Sequence, residues 1–176
     1  MSTTNGSTAM TGHGGKVAVA DYDGASPSAT DKYLLARVTE WSINPTTTES
    51  AWADSDSAGY TNRVGGRKDC TGTLSGVMDK TYKQYKNLLF NVDTSDPNNN
   101  DIVEVILWED GHETTPNEYW FFPRVLITGF SMTFDIDNRI EVRWTANFAA
   151  DGIFYRPAQD NIPTVTYSGY AVGSPT

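Results

Sequence analysis

The stretch FSMTFDIDNRIEVRWTANF, residues 130–148, decides the fold class. Phe130, Met132, Phe134 and Ile136 alternate with Ser131, Thr133, Asp135 and Asp137. After Asn138, the residues Ile140, Val142, Trp144, Ala146 and Phe148 alternate with Arg139, Glu141, Arg143, Thr145 and Asn147. Side chains on a strand point to opposite faces in turn, so two period-two runs joined by a short Asp137-Asn138 turn read as an antiparallel hairpin with one apolar and one polar face. Pairing of Asp135 with Arg139 or Arg143 across the polar face would add a few tenths to about 1 kcal/mol.

Working outward, Tyr119–Thr128 is an aromatic-rich strand, and Ile102–Trp108 is apolar apart from Glu104, which suits a strand buried on both faces. Thr71, Thr73, Ser75 and Val77 alternate with Gly72, Leu74, Gly76 and Met78, and glycines inside a strand mark a bulge or a close backbone approach. Lys16–Ala20 and Tyr33–Ile43 are further strands; the apolar phase slips between Val38 and Trp41, as a bulge or a change of sheet would require. Asp79 is an N-cap residue for one short helix, with Tyr82, Tyr85, Leu88 and Leu89 as its apolar stripe and Lys80, Lys83 and Lys86 on another face. Asp93–Asp101 is a turn. About seven strands and one helix predict a mainly β protein, an antiparallel sandwich or partly closed barrel with a flanking helix.

Residues 44–68 do not fit that pattern. They are polar and small, with Trp52, Tyr60 and Val64 as the only large apolar side chains. A structureless loop of this length is uncommon in a compact domain. The segment is expected to be a long hairpin or arm that packs on another molecule, with Trp52 as its anchor, Tyr60 as a further contact candidate and Arg63, Arg67 and Lys68 as charged contacts. The chain then divides into an N-terminal arm (1–15), a β domain (16–156) and an extended C-terminal arm (157–176), with an added edge strand through Val165 and Tyr167.

Composition limits the chemistry. The 176 residues are 38% hydrophobic and 12% aromatic, enough for one cored domain. The net charge of −9 argues against a general nucleic-acid binder, and residues 91–118 carry eight acidic residues with no Lys or Arg. An acidic edge beside the Lys80, Lys83 and Lys86 stripe fits either solubility or self-association. No apolar run is long enough for a membrane helix, and the first residues do not read as a signal peptide, so synthesis in the cytoplasm is the default. His13 and His112 stand apart with no metal-ligand spacing, and Gly12–Lys16 lacks the spacing of a phosphate loop. Cys70 is a lone cysteine in a strand, a small core or interface residue. Residues 93–101 fail the EF-hand order, and the pair Asp135 and Asp137 lies among arginines on a regular polar face. No cofactor and no enzymatic activity are expected.

Four segments together resemble the tail tube proteins of long-tailed bacteriophages: Gly14–Val17 with Val38–Ile43; the polar stretch leading to Asp69–Gly76; the short helix around Tyr82–Leu89; and the terminal unit from Tyr119 through Asp137-Asn138 to Phe148–Gly152. The resemblance implies a β-sandwich subunit that forms hexameric rings stacked into a hollow tube in a virion tail. Inner sheets would join edge to edge, residues 44–68 would reach the next ring, and DNA would pass without specific binding. Partners would be further copies, other tail proteins and, in a contractile tail, a sheath. Glu104, Asp135, Asp137 and Glu141 are then the candidate lumen acids. A capsid decoration protein and a carbohydrate-binding module are the competing readings.

Overall fold

The computed structural model describes residues 15–22, 33–53, 60–79, 81, 102–109, 118–134, 141–159 and 161–165. They form β1 (Lys16–Asp21), β2 (Tyr33–Leu34), β3 (Val38–Trp52), β4 (Asn62–Val77), β5 (Ile102–Trp108), β6 (Tyr119–Thr133) and β7 (Arg143–Ala150). All seven belong to one sheet in the order β2-β1-β5-β6-β7-β4-β3, and every neighbouring pair is antiparallel. The mainly β, antiparallel expectation holds. The strands hydrogen-bond in one series rather than in the two separate sheets of a sandwich. The expected helix at 82–89, with Lys83 and Lys86, lies outside the described residues, as does Lys80; Asp79 Oδ1 does accept the Thr81 N–H at 2.8 Å, a local cap.

The sheet is strongly curled, and chain connectivity shows why. β2 lies at one end of the strand order and β3 at the other, yet only Leu35–Arg37 joins them. Four Cα–Cα steps span at most about 15 Å. A flat sheet of this order would hold its edges about 29 Å apart. The crossover is tied at both ends: Leu35 N–H donates to Val17 O at 2.8 Å, and Val77 N–H donates to Arg37 O at 3.0 Å. Arg37 itself has φ 55°, the left-handed conformation that reverses the chain here. The segment Tyr33–Ile43, expected as one strand, is thus two strands on opposite edges. A bulge between Val38 and Glu40 follows the switch.

Curling places the core inside. Val17, Val19, Val103, Val105, Leu107, Phe122, Val125, Leu74, Trp144, Ala146 and Phe148 form one buried cluster that runs from β1 to β4. Phe122 meets Phe148 edge-on at 5.7 Å between ring centroids, and Phe130 stacks on Trp144 at 6.1 Å. β5 is buried on both faces, as its apolar run predicts. Its opposite face joins Ile106 and Trp108 to Ala18, Leu34, Tyr119 and Phe121 in a second cluster. The C-terminal segment covers that cluster: Tyr155, Ile162 and Val165 pack on it, and Tyr119 Oη donates to Pro163 O at 2.6 Å. The edge pairing expected near Val165 occurs earlier, where Tyr155 and Phe121 exchange two backbone hydrogen bonds of 2.9 Å. Tyr167 lies outside the described residues.

Two buried titratable groups give the fold an alkaline limit. Burial pushes the Cys70 thiol above its ordinary 9.0, and burial likewise raises the Tyr119 hydroxyl above 10.0. The folded chain therefore keeps protons that the unfolded chain releases, so stability is full below pH 9 and falls as pH rises through 9 and then 10. Urea midpoints measured from pH 8 to 11 are expected to decline, with the first part of the decline flattened in Cys70→Ala; an unchanged slope in that variant would exclude Cys70 as its source.

Candidate assembly surfaces

Residues 44–68 build an arm. β3 and β4 pair continuously from Pro45↔Cys70 to Trp52↔Asn62, with one bulge between Thr47 and Glu49. β4 contacts β7 only from Thr71 onward, so the outer part of the hairpin is a two-stranded ribbon about 20 Å long. Nearly every residue on it is exposed, including Trp52 (48%), Tyr60 (77%) and Val64 (52%). Arg63 forms an exposed ion pair with Glu49 across the ribbon, and Thr48 Oγ1 donates to Arg67 O at 3.2 Å. Such contacts are worth little each, and a lone two-stranded ribbon is marginal in water. The residues expected to be contacts thus sit together on one projection. Period-two patterning could not reveal it, because both ribbon faces are wet and neither is apolar.

Beside the arm lies a four-stranded half-sheet of β3, β4, β7 and the second half of β6. Its core face carries Trp41, Leu74, Ala146 and Phe130 in register. Its other face presents cross-strand rows: Ser42, Thr73, Asn147 and Gly129; then Glu40, Ser75, Thr145 and Ser131; then Val77, Arg143 and Thr133. Thr73 Oγ1 bonds Asn147 Oδ1 at 3.0 Å, and Ser75 and Thr145 share a hydrogen bond of 3.3 Å. These rows are a carpet of hydroxyls and amides with one carboxylate, one guanidinium and, at the end, the buried Val77.

Both lateral edges of this half-sheet are open among the described residues. β3 is the last strand in the order. β6 pairs with β5 only as far as Leu126, so Ile127–Thr133 has β7 on one side and no strand on the other. Unpaired edges are templates for another strand.

The expected lumen acids do not converge here. Glu104 is 0% exposed, in phase with Ile106 and Trp108 on the covered face of β5, which corrects its placement on a solvent wall. A strand buried on both faces gives a single polar residue no solvent side to mark. Glu141 is exposed but ion-paired with Arg37 at the crossover. Asp135 and Asp137 lie outside the described residues.

Among the described residues no cluster of His, Cys, Asp and Glu could hold a metal, and no helix is long and apolar enough to cross a membrane. Cys70 is fully buried. Among the described residues the most exposed rings, Trp52, Tyr60 and Phe134, sit on the arm or just past β6 and share no one face.

No family model and no curated protein sequence matches the chain. Solved structures do. A chain from the tail of an empty gene transfer agent particle, refined with C6 symmetry, superposes with a TM-score of 0.59 at 14% identity, covering 85% of this chain and all of that one. The SPP1 tail tube protein gives 0.56 at 12% identity, covering 96% and 93%. A sheath/tube terminator of the PVC extracellular contractile injection system gives 0.57 at 10% identity, covering 85% and 98%. The fold is therefore that of tail tube subunits.

Proposed function

We propose that this chain is a structural subunit of a phage-like tail tube. The observation that carries the reading is the half-sheet with two open edges on opposite sides and a continuous polar face. A contact of the β3 edge of one copy with the β6 edge of the next is head-to-tail, and head-to-tail contacts form a ring where the rotation between copies closes. Six copies of four strands give 6 × 4 = 24, and barrels well below that size already hold water-filled channels. Sixfold closure is supported by the C6 symmetry of the gene transfer agent tail.

In such a ring the core face lies outward under β1 and β5, and the hydroxyl carpet lines the channel. DNA would meet a wall of near-neutral groups. A cationic wall would release counterions and hold it; this one lets it slide. Asp135 and Asp137, just beyond β6, would add negative charge at one end of the channel, while Lys80, Lys83 and Lys86 would face neighbouring copies. The arm, with Trp52, Tyr60, Arg63, Arg67 and Lys68, would reach the next ring. The protein would act in the virion tail, after synthesis in a host cytoplasm, beside other tail proteins and a sheath where the tail contracts. No catalytic role is part of this reading.

Negative-stain images of the purified protein at rising concentration are expected to show hollow tubes of uniform width. A chain that stays monomeric in every salt and concentration tried, or that decorates emptied capsids without forming tubes, would overturn the proposal.

A further inference from the structure

Where the arm leaves the half-sheet, the sheet forks. β4 pairs with β7 only as far as Thr71↔Ala149, and from Cys70 outward its one strand neighbour among the described residues is β3. The chain after β7 does not follow the arm but stays with β6: Asp151 N–H donates to Arg124 O at 2.9 Å, and Tyr155 and Phe121 exchange two backbone hydrogen bonds of 2.9 Å. Gly152, at φ 109°, makes the departure, and Ile153 is left 66% exposed while Phe154 stacks on Phe122. Between the two prongs lies a groove of about 700 Å³, lined by Pro45 and Lys68 from the base of the arm, Trp120 from β6, and Ile153, Arg156 and Gln159 from the C-terminal segment.

Charge and backbone both limit what fits. Lys68 on one prong and Arg156 on the other take part in no ion pair among the described residues, although the chain as a whole carries −9. The acidic residues adjacent or bonded to the lining are engaged: Asp69 Oδ1 accepts the Cys70 N–H at 2.8 Å, Asp151 pairs with Arg124 at 2.6 Å, and Glu109 accepts the Trp120 Nε1–H at 2.7 Å. A cationic groove in an anionic molecule selects anions. The free edge of β4 beside it is a template for an extended strand. A compact anion would use the two cations and leave that edge unmet, whereas an acidic peptide meets both. Lys68 lies in phase with Cys70 and Leu74 of the core, so an added strand would turn every second side chain to the groove side. The open edges of this chain do not supply such a strand. Ile127–Thr133 has no acidic residue, and the two carboxylates of β3, Glu40 and Glu49, are nine positions apart (49 − 40), with Glu49 held by Arg63.

We propose that the fork binds an extended acidic peptide of a different protein as an added strand beside β4. Carboxylates at alternate positions lie against Lys68 and Arg156, and an aliphatic side chain between them lies against Ile153 and Trp120. The apolar contact and the backbone bonds hold the peptide, and the charges select it.

Fluorescence anisotropy of the fluorescein-labelled probe ETVTETV on the full chain tests this. Lys68→Glu with Arg156→Glu is expected to weaken its binding roughly tenfold or more. The reversed probe KTVTKTV is expected to bind that variant roughly tenfold more tightly than it binds the wild type, which a misfolded variant could not do. Arg67→Glu, one residue away on the other face of β4, is the control and should change binding by less than about threefold in physiological salt. Hydrogen exchange of residues 67–70 is expected to slow when ETVTETV binds. No binding of ETVTETV to the wild type, binding that the double variant leaves unchanged, or exchange at 67–70 that does not slow would overturn the proposal. An oligothymidylate that displaces the probe as readily as unlabelled ETVTETV would overturn it in favour of nucleic acid. A probe that binds the dilute chain but is shut out of assembled tubes would overturn it in favour of a second copy. Each of these results leaves the tube reading standing, and a wild-type chain that forms no tubes leaves the test of the groove intact.

Discussion

Gly72→Ala is expected to destabilise the fold by about 3 kcal/mol, the upper end for overpacking a core. A Cβ at this position would stand 2.4 Å from Phe148 Cζ and 2.5 Å from Ser42 O. Neither neighbour can give way. Ser42 O belongs to the paired strand β3, and the Phe148 ring is wedged against Phe122 in the core. Gly76→Ala meets the same obstacle, with Trp144 Cζ2 at 2.7 Å and Arg37 O at 2.8 Å, the second atom at the tied crossover. The two glycines let the aromatic rings of β7 lie flat on the backbone of β4, which is how the sheet curls tightly without a void. Gly65→Ala, on the arm, is the control: its Cβ would touch only Thr47 Cγ2 at 3.8 Å, and stability should move by less than about 0.5 kcal/mol. Urea midpoints of the three variants decide the matter. A Gly72→Ala protein as stable as the Gly65→Ala one would mean that Phe148 does not rest on β4.

Excising the arm is expected to leave a folded chain that no longer builds tubes. Residues 47–68 are to be replaced by Asn-Gly, which joins Thr46 to Asp69, a registered pair, through a tight type I′ turn. The removed residues are exposed, and neither strand has a third neighbour there among the described residues, so almost no core burial is lost. Shortening the loop also lowers the closure entropy slightly. The thermal midpoint should therefore stay within a few degrees of the intact chain's, because a shift of about 4 °C corresponds to roughly 1 kcal/mol in a domain of this size. Sedimentation should show rings or monomers in place of long polymers. Tubes of ordinary length from the excised chain would remove the arm from assembly. A chain that unfolds on excision would show instead that the ribbon is part of the fold.

Most strands were legible from residues alone wherever one face is apolar and the other wet. The alternation from Phe130 to Thr133 and from Arg143 to Phe148 appears as β6 and β7 in register, and Thr71, Thr73 and Ser75 fall on the polar face opposite Leu74. The hydroxyl carpet was therefore written in the pattern, although charge drew attention to acids elsewhere. Glu104 was misplaced for a physical reason: local polarity reports a solvent face only when one face is wet, and β5 has none. The ribbon was ambiguous for the opposite reason, since with both faces wet nothing alternates.

Local chemistry thus specified the strands, the glycine positions and the aromatic residues of the arm, since each depends on side chains within a few residues of one another. The strand order, the curl and the two open edges came from long-range contacts. Leu35–Arg37 is three residues whatever surrounds it, and only its ties to Val17 and Val77 turn it into the bridge between the sheet's two ends. The groove at the base of the arm is longer-range still, because Lys68 and Arg156 are 88 positions apart (156 − 68) and line it together only where the C-terminal segment crosses the base of the arm.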